Sequence, residues 1–143
     1  MDRLLFQEFL ASADTLRVYH DKSRLFSSDK DGLLPLLEYL EQPDSHHLPV
    51  TIFDKVMGNA AALLSIQANG QEVYSPLGSR LAVETLEKHG LKYHLNEIVP
   101  CILKPSGDEM CPMEKLSTGK EPEEFYKLVS RTNKPKKGAA WKK

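Results

Sequence analysis

The sequence predicts an α/β fold: a mixed sheet that opens with an antiparallel hairpin and is covered by helices on both faces. Three observations carry this reading. TLRVYH (15–20) alternates in period two and is followed by a turn at Asp21-Lys22-Ser23 and a second short extended run, the pattern of a β-hairpin. LPVTIF (48–53) is apolar and β-branched without alternation, the mark of a strand buried on both faces. From there on strands alternate with helices of about ten residues, as crossover connections between parallel strands require.

Each element has a local reason. In DRLLFQEFLAS (2–12), Leu4, Leu5, Phe6, Phe9 and Leu10 fall at helical spacing, so an amphipathic helix opens the chain. The hairpin follows, with its second strand around 24–27. Gly32 and Pro35 open a second helix, GLLPLLEYLEQ, because proline is tolerated in a first turn. That helix stops before Pro43, and a polar Pro-Asp-Ser-His-His loop leads into LPVTIF. The stretch over 57–68 is apolar nearly all round and ends at Asn69-Gly70, a helix stop signal, so it predicts a buried helix. EVYS is read as a strand and Pro76-Leu77-Gly78 as a turn. SRLAVETLEKHG is a helix with Ser79 as N-cap and Gly90 as its C-terminal stop. A strand follows over 91–99, then a loop over 100–110, a short helix in CPMEKLST and a last helix in EPEEFYKLVSRT with Pro122 in its first turn.

The 143 residues suit one domain, large enough to bury about 70% of the surface of the unfolded chain. We expect a single α/β domain over 1–130 and a basic, disordered tail over 131–143. All six charges after Ser130 are basic, so the rest of the chain sets 13 basic residues against 20 acidic ones. An acidic body with a short basic end excludes a nucleic-acid-binding domain, except for contacts through the tail itself. No apolar run approaches the length of a membrane span and the N-terminus has no secretory pattern, so a cytoplasmic protein is expected. The two cysteines, Cys101 and Cys111, are expected as reduced thiols.

In an open α/β sheet, ligands gather where strands end and helices begin, because free backbone N–H groups converge there. Three such points occur: Phe53-Asp54-Lys55 running into Gly58-Asn59-Ala60, Tyr74 to Ser79, and Asp108 to Glu114. Lys55 could clamp an anion and Asp54 act as a base; the structural alternative makes Asp54 a helix cap and Lys55 a solvated residue. Alternation turns these two neighbours to opposite faces of the sheet. Cys111 precedes Pro112 at a helix start, where a thiolate is favoured, yet Cys111-Pro112-Met113-Glu114 reads equally as an ordinary capped start. No zinc site is expected: the cysteines stand ten apart without a C-x-x-C pair, and the histidines are scattered. Neither a P-loop, nor G-x-G-x-x-G, nor G-x-S-x-G is present, and no cofactor is predicted.

The blocks Asp54-Lys55-Val56-Met57-Gly58-Asn59-Ala60-Ala61 and Cys111-Pro112-Met113-Glu114, set within residues 10–130, resemble the family known as domain of unknown function 1893. The resemblance implies a cytidine-deaminase-like fold, a three-layer α/β/α sandwich. Deaminases of that fold hold zinc through H-x-E and P-C-x-x-C. Here Asp54-Lys55-Val56 and Ser75-Pro76-Leu77-Gly78-Ser79 stand in those places, so the zinc ligands are missing and the deaminase reaction is not implied.

The resulting expectation is a cleft formed by helix N-termini that binds a small anionic ligand such as a nucleotide. Lys55, Gly58, Asn59, Ser75, Ser79, Met113 and Glu114 would contact it, with Met57 and Met113 against its apolar part. The first alternative is a metal-independent enzyme with Cys111 as nucleophile, Asp54 as base and Lys55 as electrostatic stabiliser. The second is a non-catalytic interaction protein that recruits an acidic partner through its tail. Exposed strand edges would also allow a homodimer, which nothing in the sequence specifies.

Overall fold

The computed structural model describes residues 3–43, 47–104, 106–107 and 109–130. The basic tail over 131–143 lies outside them, as do 44–46, Pro105 and Asp108. The element order is the one expected: α1 (Arg3–Leu10), β1 (Leu16–His20), β2 (Ser23–Ser28), α2 (Leu34–Leu40), β3 (Val50–Asp54), α3 (Asn59–Gln67), β4 (Gly70–Ser79), α4 (Arg80–Lys88), β5 (Lys92–Val99), α5 (Pro112–Ser117) and α6 (Pro122–Val129).

The strands form one five-stranded sheet in the order β2-β1-β3-β4-β5. β1 pairs antiparallel with both β2 and β3, whereas β3, β4 and β5 run parallel. The register is what later brings the site together. Leu16 at the start of β1 lies opposite both Ser28 at the end of β2 and Asp54 at the end of β3. The β2–α2 connection therefore emerges beside the end of β3, at the edge where α3 begins.

The two faces of the sheet are covered unequally. On one, Leu16, Val18, Val50, Ile52 and Val73 join a large core with α2, α3, α4 and α6. At its centre is α3, whose residues Asn59 to Ser65 are all buried, as its all-round apolar sequence requires. On the other face α1 packs, through Phe6 and Phe9, onto Tyr19, Phe53 and Tyr74. Of the five apolar residues expected to line α1, only these two phenylalanines are buried; Leu4 is 68% exposed. Phe53 stacks on Tyr74 at 4.9 Å, and Tyr74 on His94 at 4.2 Å. His94 Nε2 lies 2.6 Å from Glu72 Oε2 at the thinly covered side of this face.

One expectation is corrected. Pro76-Leu77-Gly78 is no turn: β4 runs straight through it to Ser79. Pairing of Leu77, Gly78 and Ser79 with β5 holds the strand beyond the proline. On its other edge the Met57 N–H donates to the Leu77 carbonyl (2.8 Å), and the Ser79 N–H to the Met57 carbonyl (3.1 Å). A proline lacks one donor, and long-range pairing on both sides outweighs that loss. Ser79 caps α4 as expected, its Oγ accepting from the Ala82 N–H, and Gly90 just beyond the helix takes a positive φ of 76°.

Candidate functional site

At the end of β3 the chain opens a pocket of about 310 Å³. Five stretches of sequence build it: Thr15 from the start of β1, Asp31-Gly32-Leu33 before α2, Asp54-Lys55-Val56 after β3, Gly58, Ala60 and Ala61 at the start of α3, and Ile102 with Cys111, Met113 and Glu114 around α5. The last group arrives because Leu103 pairs antiparallel with Met110. Lys104 N–H donates to the Glu109 carbonyl and Cys111 N–H to the Ile102 carbonyl, each at 2.8 Å.

Asp54 is the polar centre of this pocket. The Leu16–Asp54 register places its side chain on the helix-rich face of the sheet. Val56 N–H donates to its Oδ1 at 3.4 Å, whereas the Lys55 N–H donates to the Thr15 carbonyl at 3.2 Å; among the described residues no side chain bonds the carboxyl. Burial raises its pKa to about 7, against the lowering effect of the nearby Val56 and Lys55 N–H groups. At neutral pH this carboxyl is thus divided between its acid and its base form, the condition for proton exchange with a bound molecule.

Lys55 faces the other way. Its ammonium donates to the carbonyls of Asp14 (2.7 Å) and Ser12 (3.1 Å) and lies 4.8 Å from the centre of the Phe9 ring. The anion clamp expected of it is not assembled, because the ammonium ties the end of β3 to the α1–β1 connection.

Glu114 lines the pocket but is already committed. Its Oε1 accepts from the Asn59 N–H (2.7 Å) and its Oε2 from the Ile102 N–H (3.0 Å). α3 has Gly58 at its N-cap and no cap from its own chain segment, so Glu114 supplies one from α5. The glycine is required for space: a Cβ on Gly58 would lie 2.9 Å from Glu114 Oε1 and 3.0 Å from Ile102 Cγ1. Asn59 is also structural. Its Nδ2 donates to the Ser117 carbonyl and hydroxyl, both at 3.0 Å, and its Oδ1 accepts from the Thr85 hydroxyl, joining α3 to α4 and α5.

The remaining expectations divide. Met113 and Cys111 line the pocket, Cys111 as the half-buried N-cap of α5 with no capping bond from its side chain. Ser75 and Ser79 do not: both are fully buried, Ser75 donating to the Leu77 carbonyl (2.9 Å) and Ser79 capping α4. Met57 is likewise core. Both cysteines are free thiols. Among the described residues no three His, Cys, Asp or Glu side chains are grouped to hold a metal ion, and no helix is long and apolar enough to cross a membrane.

Thr15, Asp31, Leu33 and Ile102 were not legible as site residues. A signal for the first three exists in the hairpin: if β1 is antiparallel to β3, its start and the residues after β2 must meet the end of β3. Nothing local marks Ile102.

The model of the family of unknown function DUF1893 matches residues 6–132. The chain belongs to the DUF1893 family. The match begins within α1, so it takes in part of the helix that the motif resemblance leaves out. A crystal structure of a DUF1893-family protein from Thermotoga maritima superposes with a TM-score of 0.79 at 26% identity, over 89% of this chain and 86% of that one. No curated protein matches significantly. The five-stranded mixed sheet and the six helices of the described residues are accordingly the fold of a DUF1893 domain.

Proposed function

We propose that this DUF1893 domain binds a small organic molecule in the pocket at the end of β3, with Asp54 as its polar anchor. The observation that supports the reading is the pairing of one carboxyl, unbonded by any described side chain, with apolar walls from Leu33, Val56, Ala60, Ala61, Ile102 and Met113. Apolar enclosure with a few directed polar groups is what small-molecule sites provide. The volume lies at the lower end of the usual range, which suits a fragment-sized ligand. Native mass spectrometry of protein purified without additives tests this. A reproducible added mass that is lost on denaturation and absent from the Val56→Trp variant supports the pocket. A mass retained by that variant places the binding elsewhere.

A second reading follows from the shared pocket of Cys111 and Asp54: a metal-independent enzyme with the thiol as nucleophile and the carboxyl as base. Cys111→Ser separates the two. A binder keeps most of its affinity, whereas a thiol enzyme loses turnover. An added mass that survives denaturation and maps to Cys111 favours the enzyme.

A further inference from the structure

We infer that the pocket selects a neutral or cationic molecule bearing N–H donors, such as an amidine or an amino-heterocycle, and rejects anions. The inference rests on the reading of the pocket as a binding site and names the class of its ligand.

The charge pattern is the first argument. Among the described residues, the titratable groups that line the pocket are Asp31, Asp54, Lys55, Cys111 and Glu114. Three are acids, and the one base sends its ammonium to the carbonyls of Ser12 and Asp14 on the opposite face of the sheet. An entering anion would meet carboxyl groups without a facing cation.

The second argument concerns the start of α3, the place where an α/β fold ordinarily receives phosphate or carboxylate. The first N–H of that seat is taken from within. Glu114 is buried, takes the Asn59 and Ile102 N–H groups, and fits against a residue with no Cβ. An external anion would have to displace a buried carboxylate from two hydrogen bonds or lie beside it.

The third is the unused capacity of Asp54. A carboxylate offers about four lone-pair sites, and the donor to this one among the described residues is the Val56 N–H. A flat ligand with paired N–H donors satisfies the remainder, as guanidinium-type groups do with carboxylates, while its ring lies against the apolar walls. Such a ligand requires the ionised carboxylate. With Asp54 titrating about 7, binding below that pH must first release its proton.

Three probes of equal shape test this: benzamidinium, benzamide and benzoate, titrated into the full chain at pH 8 while the amide signals of Asp54, Gly58, Ala60 and Cys111 are followed by NMR. Benzamidinium is expected to shift these amides with a Kd at least tenfold below that of benzoate. Moving to pH 6 should weaken it about tenfold, because its affinity is linked to one ionisation, and should leave benzamide unchanged. Asp54→Asn should weaken benzamidinium at least tenfold and remove the pH effect. Benzoate binding as tightly at the same amides would overturn the charge selectivity and leave the pocket standing. Benzamidinium affinity unaffected by both pH and Asp54→Asn would overturn the role of Asp54. Absence of pocket shifts with all three probes would bring down the binding reading itself. The order of the three probes needs no variant, so it decides even if Asp54→Asn fails to fold.

Discussion

Asp54 is costly to the fold at the pH where it would be useful. Its folded pKa of about 7 exceeds the ordinary aspartate value of 3.8, so between those values the native state holds a proton that the unfolded chain has released. Stability linked to this group is therefore full below about pH 4 and is lost as pH rises through 7. Asn at this position keeps an acceptor for the Val56 N–H and has no charge to bury. Asp54→Asn should melt above the unaltered protein at pH 8 and approach it at pH 5. A difference in melting temperature independent of pH would mean that folding does not raise the pKa of Asp54.

Glu114 and Gly58 act as a pair on the first turn of α3. Glu114→Gln retains one carbonyl acceptor where two backbone donors need partners, and should lower stability by about 1–3 kcal/mol in urea unfolding. Gly58→Ala forces a methyl group to within 2.9 Å of Glu114 Oε1, at a similar cost of about 1–3 kcal/mol. Because both act through one contact, Gly58→Ala combined with Glu114→Ala should cost less than the sum of the single changes. Additive values would show that the glycine is needed for another reason.

At the scale of elements, α3 and α1 lie at the two ends of a range of stability. α3 is buried along most of its length against the sheet and neighbouring helices, whereas α1 is held by two phenylalanines and the Lys55 tether. Hydrogen exchange should be slowest in α3 and markedly faster in α1, since local opening follows the contacts to be broken. Lys55→Met removes the tether and should accelerate exchange in α1 while leaving benzamidinium affinity unchanged. A loss of that affinity would mean that the Lys55 side chain, and not only its backbone at the pocket wall, acts on the ligand. Element boundaries were legible wherever local chemistry sets them: Ser79 caps α4, Pro112 and Pro122 open α5 and α6, and Gly90 closes α4. β4 was misread at Pro76 because its continuation depends on Met57 and β5, which no window around the proline contains.

For the whole molecule, a ligand that binds only the folded chain stabilises it by mass action. Benzamidinium at ten times its Kd should therefore add about 1.4 kcal/mol to unfolding at pH 8, and benzoate at the same concentration distinctly less. Denaturant titration in each probe measures both, and equal gains from the two would contradict a pocket walled by acids.

The sequence by itself determined the order of elements, the mixed sheet with its opening hairpin, the burial of α3 and the opposite facing of Asp54 and Lys55. Each follows from periodicity or from residues within a few positions of one another. Only the tertiary structure decided which of the candidate residues meet. It brings Asp54 and Cys111 to one pocket, buries Ser75 and Ser79, draws the Lys55 ammonium to the α1–β1 connection and seats Glu114 on α3. The physical reason is that strand pairing and helix caps join residues far apart in the chain. Asn59 and Glu114 are 55 positions apart, yet their hydrogen bond turns a helix start that could receive an anion into one that already holds its own.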